Sequence, residues 1–462
     1  MGKIRRLMKT LPLSITPLSG YAVSMKTPIQ SWSELGFGLF IHVGLYSILG
    51  GVYHGKPVTR GYSEQILSHG YVSQYDYEQL TAEFTFEAFD AKKIARVAQE
   101  AGMRYIVITT KHHDGFCLFH TKTTAYNSKN TPYGNDVVKE LAEACKESGL
   151  GFGIYFSWID WHYPHALPIS AHNSDIITPL HQALNIAQLT ELLTNYGPIC
   201  ELWMDMGAPS EEQSKEVSSL VKRLQPQCMI NGRIWNDFQD FLTMGDNQIP
   251  TLPLNCPWQT PASIYKETWG YRSWQERGDL NEKIAELTET LRQVRLMGGN
   301  YLLNIGLTGD GSIVPFEENV LLGIGKNLQR EPLSVERSTL PFLPLNVGIP
   351  SKGAVLYRYS GTHYYTYKPI PTTLRWSITV EEPRSYSLFW ANETPIDSEQ
   401  KVRVMVGRTV WHATLQKGQE AGVFSENLLL ERGEYTIEVS TVGEPLTRPE
   451  LRYPSLQLTI KE

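Results

Sequence analysis

The chain has few cysteines, no long apolar run and no block of like charges, and each absence excludes a class of protein. Its five cysteines are scattered and form no C-x-x-C pair, so neither a disulfide framework nor a zinc knuckle is expected. No run reaches the roughly 20 apolar residues that a membrane span needs. The net charge of −6 leaves no basic face to neutralise phosphates, which excludes a nucleic-acid-binding protein.

The first 29 residues read as an extension that precedes the folded chain. Lys3, Arg5, Arg6 and Lys9 come before an apolar stretch that is short and broken by two prolines. This charge order is that of a secretory signal, although the apolar stretch is too short for a typical one. A flexible extension and a decayed leader both fit, and the pattern slightly favours a periplasmic or secreted protein over a cytoplasmic one.

Residues 30–333 alternate short apolar runs with amphipathic helices. Asp90 and Asp136 are expected to cap two helices that end near Gly102 and Gly149, and a third helix is expected from Asn281 to Met297. The predicted strands are Phe37–Gly44, Tyr105–Thr110, Phe152–Ser157, Ile199–Met206, Met229–Ile234 and Tyr301–Gly306. Apolar strands that alternate with one-sided helices predict a parallel sheet covered by helices, and this many repeats favours a (β/α)8-like barrel of the TIM type. A doubly wound sheet is less favoured because no G-x-G-x-x-G turn follows the first strand.

The pattern changes in the last third of the chain. Residues 340–462 contain β-type runs separated by turn residues and almost no helix signal, which predicts a C-terminal antiparallel β-sandwich domain. Such a domain could bind carbohydrate or cover one side of the barrel, and we favour the structural role. The 11 Trp and 24 Tyr suit either carbohydrate binding or ordinary core packing.

Polar or aromatic residues follow six of the predicted strands, at the end of a barrel where functional side chains lie. The residues at these positions are His42, His112, His113, Asp114, Tyr155, Trp203, Asp205, Arg233 and Asn304. Asp205 follows a buried run and would leave the barrel at its mouth, where a carboxylate can attack an anomeric carbon. The structural alternative is that Asp205 caps a helix that begins near Pro209.

The histidines do not predict a metal site. Neighbouring side chains on an extended backbone point in opposite directions, so His112 and His113 are not expected to chelate one ion. No H-x-x-x-H or H-x-H spacing offers a better pair of ligands. Imidazoles that hydrogen-bond sugar hydroxyls are the better interpretation, and we expect neither a metal nor another cofactor.

Six motifs, in this order, make residues 30–330 resemble the retaining α-L-fucosidase family of glycoside hydrolases. They are GLFIHVGLYS (38–47), GYSE (61–64), YIVITTKHHDGF (105–116), LWMD (202–205), TWGYR (268–272) and GGNYLLNIG (298–306). The resemblance implies a barrel with a C-terminal β-domain and a metal-free, fucose-sized pocket. It implies that Asp205 is the nucleophile and that the substrate is a fucosylated glycan or a small fucoside. The residues that it assigns to the pocket are His42, Glu64, His112, His113, Tyr155, Trp203, Arg233 and Trp269.

The chain departs from the family pattern at two positions. Gln259 stands where the family's general acid/base glutamate is expected, and an amide cannot transfer a proton. Glu267, eight residues on, is the candidate to replace it as the catalytic acid, with Gln259 left as a substrate-binding residue. Gln65 stands where a tryptophan often follows the motif glutamate, which alters the aromatic wall of the pocket.

Three functions therefore remain. The first is an exo-acting α-L-fucosidase that uses Asp205 and Glu267 in a double displacement. The second is a fucose-binding pseudoenzyme that has lost its acid at Gln259. The third is a glycosidase for a related sugar such as an α-L-galactoside, or for substrates whose leaving group needs no acid.

Overall fold

The protein is described by a computed structural model, which covers residues 27–166, 175–236, 238–249 and 257–333 in the first part of the chain. In the last third it describes 343–345, 349–350, 357–359, 363–365, 373–380, 383–391, 399–441 and 457–461. The predicted N-terminal extension lies almost wholly outside these residues.

Eight parallel strands form one curled sheet. They are β1 (Phe37–His42), β2 (Tyr105–Lys111), β3 (Gly151–Ser157), β4 (Glu201–Asp205), β5 (Met229–Ile230), β6 (Leu242–Thr243), β7 (Trp258–Ser263) and β8 (Asn300–Gly306). Their order is β5-β4-β3-β2-β1-β8-β7-β6, and every neighbouring pair is parallel. The two short outer strands approach each other: the Asp240 amide donates to the Ile230 carbonyl at 2.9 Å, and the Gly232 amide donates to Thr243 Oγ1 at 2.8 Å. This is the arrangement that a (β/α)8 barrel requires.

Within the described residues, seven helices of eight or more residues accompany the sheet. They are α1 (Pro28–Leu35), α2 (Ala91–Glu100), α3 (Val137–Glu147), α4 (Pro179–Asn195), α5 (Glu211–Leu224), α6 (Leu280–Leu296) and α7 (Pro315–Arg330). The expected caps of α2 and α3 are confirmed, since Asp90 accepts the Lys93 amide and Asp136 accepts the Lys139 amide. No helix in the described part of the chain is long and apolar enough to cross a membrane.

Short helices and one ribbon lie in the loops at the carboxyl ends of the strands. The short helices are Tyr46–Leu49, Ser63–Gln65, Ile66–His69, Gln74–Gln79, Leu80–Glu83, Ser128–Asn130 and Gly232–Ile234, and the ribbon pairs Val52–Tyr53 with Lys56–Pro57. The predicted strand Met229–Ile234 was too long: it ends at Ile230, and its last three residues form a 3₁₀ turn. The strands β6 and β7 were not predicted.

The barrel strands are buried along their whole length, except Gly151 and Leu242, which are partly exposed. Strands that are covered on both faces read as continuous apolar runs, which is why six of the eight were recognisable in the sequence. Among the cysteines, Cys117, Cys145 and Cys228 are buried and unpaired, as expected of small core residues, and Cys256 lies outside the described residues.

The last third of the chain folds into antiparallel sheets. One sheet joins Leu343–Leu345, Gln457–Lys461, Arg384–Ala391 and Ala421–Leu430. A second joins Ile349–Pro350, Thr373–Val380, Gly433–Thr441, Gln400–Val406 and Thr409–Leu415, and Tyr357–Tyr359 pairs with His363–Tyr365. The prediction that this region is antiparallel β-structure is confirmed.

Candidate active site

A pocket opens at the carboxyl ends of the barrel strands, where catalytic side chains of such barrels lie. It is small and partly open to solvent. The lining residues are Phe40, His42, Tyr62, Glu64, Gln65, His112, His113, Tyr155, Trp203, Asp205, Met206, Arg233, Asp246 and Trp269.

Asp205 is the last residue of β4 and is buried at the base of this pocket. The Tyr155 hydroxyl donates to its Oδ2 at 2.8 Å, and Arg233 Nη1 donates to its Oδ1 at 2.7 Å. Burial raises the pKa of Tyr155 well above its ordinary value, so the phenol stays protonated and remains a donor. Asp205 does not cap a helix, because Ser210 accepts the Gln213 amide at the start of α5.

Arg233 joins Asp205 to a second carboxylate that the sequence analysis missed. Its Nη2 lies 2.5 Å from Oδ1 of Asp246, whose side chain is 7% exposed. Asp246 follows β6, a strand of only two residues, so no apolar run marked it as the end of a barrel strand. If β6 had been recognised, Asp246 would have been a candidate site residue like the other polar residues that follow barrel strands.

Two histidines of the pocket, His42 and His112, are neutral hydrogen-bonding groups. Burial lowers the pKa of His42 to about 4 and lowers that of His112 well below its ordinary value. The Nδ1 of His42 lies 2.6 Å from Asn304 Oδ1, so this nitrogen carries the proton and Nε2 is left as an acceptor. The Nδ1 of His112 is buried without a hydrogen-bond partner among the described residues, which leaves it available to a ligand.

The expectation that His112 and His113 point in opposite directions was wrong. Both line the pocket, and their ring centroids are 4.0 Å apart. The expectation assumed an extended backbone, but β2 ends at Lys111 and the chain turns at His113 and Asp114. No cluster of three or more His, Cys, Asp or Glu side chains with metal-binding geometry occurs among the described residues.

Glu64 fixes the loop that carries Trp269. Its Oε2 accepts the Trp269 amide at 3.1 Å and the Gly270 amide at 2.8 Å, and Asn304 Nδ2 donates to the Trp269 carbonyl at 2.7 Å. Burial raises the pKa of Glu64 to about 7, although the two amides oppose that rise. Glu64 therefore holds one wall of the pocket while its carboxyl group faces the cavity.

Gln259 is not a pocket residue, which corrects its assignment to substrate binding. It lies near the amino end of β7, is fully buried, and accepts a hydrogen bond from Trp203 Nε1 at 2.7 Å. It therefore lies below the Trp203 indole, on the side away from the opening. The sequence match placed it at an acid position because β7 itself had not been recognised.

Glu267 is also outside the pocket, which corrects its assignment as the catalytic acid. It lies in an exposed turn after β7, and it is the Glu267 backbone carbonyl that accepts a hydrogen bond, from Arg272 Nη2 at 3.1 Å. Trp269 and Gly270, two and three residues further on, turn inward to Glu64, whereas Lys266 and Glu267 form the outer surface of the same loop.

The backbone turns sharply after Asp205. Met206 has φ 58° and Gly207 has φ 69°, both in the left-handed region. This region costs a non-glycine residue on the order of 1–3 kcal/mol and is common at functional sites. The turn ends β4 at Asp205 and places Met206 in the pocket wall.

A pair of carboxylates with buried side chains, beside a pocket at the carboxyl end of a parallel barrel, is typical of barrel glycoside hydrolases. The chain belongs to the α-L-fucosidase family, whose model matches residues 21–332. It is therefore an enzyme of the fucosidase type.

Individual relatives agree with this assignment. The chain is 28% identical to the tissue α-L-fucosidase of Homo sapiens over 317 residues, which are 65% of this chain and 67% of that protein. The unliganded α-L-fucosidase AlfC from Lactobacillus casei is 34% identical and superimposes with a TM-score of 0.59, over 66% of this chain and 99% of that one. AlfC has also been solved with its α-L-fucose product and, as a variant, with Fucα(1,6)GlcNAc.

One further structure resembles almost the whole chain. The α-L-fucosidase from Vibrio sp. strain EJY3 covers 95% of this chain and 98% of its own, with a TM-score of 0.62. Its sequence identity is 22%, so this likeness concerns the fold alone.

Proposed function

We propose that this protein is an exo-acting, retaining α-L-fucosidase in which Asp205 is the nucleophile and Asp246 is the general acid/base. The observation that carries the proposal is the single guanidinium of Arg233, which contacts both buried carboxylates at 2.7 Å and 2.5 Å. Retaining glycosidases hold their two carboxyl groups about 5–5.5 Å apart, whereas inverting ones need about 6.5–9.5 Å to admit a water molecule. Two carboxylates on one guanidinium are a short-range pair, which favours retention.

Asp205 suits the role of nucleophile because two donors hold its carboxylate in place. Tyr155 and Arg233 each hold one of its oxygens, and these two bonds stabilise the negative charge and fix the direction of the carboxylate. In the first step, an Asp205 oxygen bonds to the anomeric carbon while the bond from that carbon to the leaving oxygen breaks. Asp246 donates its proton to the leaving oxygen in the same step.

Arg233 allows Asp246 to act as the acid in the first step and as the base in the second. With both carboxyl groups ionised, two negative charges would share one positive charge. The proposed mechanism places a proton on Asp246 before the first step. Once Asp205 has become an ester it carries no charge, and Arg233 then stabilises Asp246 as a carboxylate. In the second step that carboxylate takes a proton from water, the water oxygen bonds to the anomeric carbon, and the ester bond to Asp205 breaks.

The neutral histidines and Glu64 suit the hydroxyls of a single sugar. His42 offers an acceptor nitrogen and His112 a nitrogen without a partner, both buried in the pocket wall. Phe40 and Trp269 supply apolar surface in the same pocket, which suits the C6 methyl face of L-fucose. We therefore propose that the substrate is a terminal residue of a fucosylated glycan or a small fucoside.

The pseudoenzyme hypothesis has lost its basis, since Gln259 is not in the pocket and Asp246 is a second carboxylate there. An α-L-galactoside differs from an α-L-fucoside by one hydroxyl on C6. Beside an apolar wall that hydroxyl would lose its hydrogen bonds to water, so we expect the fucoside to be preferred.

Azide rescue of two variants tests the assignment. Asp205→Gly and Asp246→Gly are each assayed with an aryl α-L-fucoside, with and without sodium azide. We expect Asp205→Gly to yield β-L-fucosyl azide, because azide replaces the nucleophile on the face opposite the leaving group. We expect Asp246→Gly to yield α-L-fucosyl azide, because azide attacks the covalent intermediate. The same anomer from both variants, or an Asp246→Gly variant with full activity on a fucosyl oligosaccharide, would refute the assignment.

We also propose that residues 30–333 form the catalytic domain and that residues 340–462 form a β-sandwich with a structural role. One cluster of buried side chains supports the sandwich, because it includes Leu388 and Phe424 from one C-terminal sheet and Val404 and Ile437 from the other. Two antiparallel sheets that share an apolar core are what a sandwich requires.

A further inference from the structure

A buried polar network lies under the pocket. Gln259 accepts a hydrogen bond from Trp203 Nε1 at 2.7 Å, and its own amide nitrogen donates to the Glu201 carboxylate at 2.9 and 3.0 Å and to the Tyr105 hydroxyl at 3.0 Å. Trp32, in α1, donates from Nε1 to Glu201 at 2.7 Å. Gln259, Glu201 and Tyr105 are fully buried, and Trp203 and Trp32 are nearly so.

These contacts leave the Gln259 amide only one orientation. The Trp203 indole N–H can only donate, so the Gln259 oxygen must face it, and the Gln259 nitrogen faces the Glu201 carboxyl group and the Tyr105 hydroxyl. If the amide were flipped, the Gln259 nitrogen would face the indole N–H. Both groups are donors, and the site is fully buried, so neither could find an acceptor there. Glu201 and Tyr105 hold the amide nitrogen in this orientation by accepting its hydrogen bonds.

Trp203 transmits this constraint to the catalytic pair. The guanidinium carbon of Arg233 lies 4.6 Å from the centre of the indole ring, a cation–π contact. Phe40 packs on the same indole with its ring centroid 5.2 Å away, and Tyr155 stacks at 6.0 Å. Any rotation of the indole would therefore displace Arg233, which holds Asp205 and Asp246.

We propose that Gln259, held by Glu201, is a positioning residue that fixes the Trp203 indole and, through it, the guanidinium between the two catalytic carboxylates. This inference rests on the proposed function for its catalytic consequence. The hydrogen bond to Trp203 itself does not depend on that function.

A double-mutant cycle between Gln259→Met and Trp203→Phe tests the proposal. Methionine keeps the length and volume of glutamine but cannot accept the indole N–H, and phenylalanine has no N–H to donate. With an aryl α-L-fucoside, we expect Gln259→Met to lower kcat/KM about 10-fold, as the loss of one buried hydrogen bond would. The loss should lie mainly in kcat, because Arg233 acts on the reacting carboxylates. In the Trp203→Phe background, Gln259→Met should have almost no further effect.

Gln188→Met is the matched control. Gln188 is fully buried in α4 and donates to Thr123 Oγ1 at 2.9 Å, and neither residue lines the pocket. We expect this variant to lose a similar amount of thermal stability and to keep the wild-type kcat. Equal losses of kcat in Gln259→Met and Gln188→Met would overturn the proposal, since they would show a general effect on stability.

A second measurement needs no substrate. The 11 tryptophans give 11 indole N–H signals in a ¹⁵N spectrum of the deuterated protein, and Trp203→Phe identifies one of them by its loss. That signal should move upfield in Gln259→Met and stay in place in Gln188→Met. If the wild type hydrolyses no fucoside, the proposed function fails. The indole signal would still show whether Gln259 accepts a hydrogen bond from Trp203. The inference is overturned if the signal does not move in Gln259→Met. It is also overturned if Gln259→Met still lowers kcat/KM by the full 10-fold in the Trp203→Phe background.

The Gln259→Glu variant tests whether residue 259 can reach the substrate. It places a second carboxylate against Glu201 in the barrel interior, so we expect lower stability and no increase in turnover. Increased turnover of a fucosyl oligosaccharide would mean that residue 259 can reach the substrate, which would overturn its role below Trp203.

Discussion

Arg233 lies 2.7 Å from Asp205, and the same guanidinium reaches Asp246 at 2.5 Å. The side chain of Arg233 is itself 4% exposed. When either carboxylate loses its charge, a buried guanidinium between the two interacts more strongly with the one that stays ionised. In the proposed double displacement each partner does so in turn.

Replacing Arg233 with lysine should therefore impair both steps. An ammonium is a single point charge and cannot hold two carboxylates as a planar fork does, so we expect kcat to fall at least about 100-fold on an aryl α-L-fucoside. Arg292→Lys, at an exposed pair with Glu331, serves as the control and should keep the wild-type kcat. A fall in kcat of less than twofold in Arg233→Lys would contradict the bridging role.

Tyr155→Phe tests the second donor to the nucleophile. Without the hydroxyl that lies 2.8 Å from Oδ2, the Asp205 carboxylate loses one of its fixed partners, and we expect kcat/KM to fall about 10-fold. The control is Tyr126→Phe, because the Tyr126 hydroxyl is buried without a partner among the described residues. Equal activities in the two variants would show that the Tyr155 hydroxyl does not act on Asp205.

Glu267→Ala should leave catalysis unchanged. The side chain is exposed on the outer surface of its loop, so we expect kcat/KM on a fucosyl oligosaccharide to stay within about twofold of the wild type. Glu289→Ala, exposed on α6, is the comparison variant. A selective loss of the oligosaccharide activity, with the aryl fucoside still cleaved, would return Glu267 to the role of catalytic acid.

Most of the barrel could be predicted from the sequence because its strands are buried on both faces. The continuous apolar runs of β1–β4 and β8 predicted strands at the observed positions. Most of the polar or aromatic residues that follow them line one pocket, but Asp114 and Asn304 do not. The pattern failed at β6, where a strand of two residues leaves no periodic signal, and Asp246 was missed with it. It failed at β7 as well, because the polar Gln259 and Thr260 interrupt an interior strand. Their partners, Glu201 and Tyr105, lie more than 50 residues away in the chain, so no local pattern predicts the contact.

Burial of Glu317 predicts a pH-dependent contribution to stability. Desolvation raises the pKa of this carboxyl group from 4.5 to about 8, against the opposing effects of the Gly306 amide and Arg277. Between pH 4.5 and 8 the folded state therefore binds more protons at this site than the unfolded state, and the stability contributed by the protonated form is lost as the pH rises. Glutamine keeps an acceptor for Gly306 and does not titrate.

The melting temperature of Glu317→Gln relative to the wild type should therefore rise by a few degrees from pH 5 to pH 8.5. Glu289→Gln, at an exposed position, should show no such trend. A difference between Glu317→Gln and the wild type that stays constant over this range would contradict the raised pKa.

Covalent trapping tests the central claim most directly. A 2-deoxy-2-fluoro-α-L-fucoside with a good leaving group slows both steps, because the fluorine destabilises the oxocarbenium-like transition state, and the good leaving group lets the first step proceed. The trapped enzyme is digested, and the modified peptide is sequenced by mass spectrometry. We predict a fucosyl ester on Asp205, and Asp246→Asn should form the same adduct on the same residue. An adduct on Asp246 or Glu64, or an inactivated enzyme without any adduct, would contradict the assignment of Asp205 as the nucleophile.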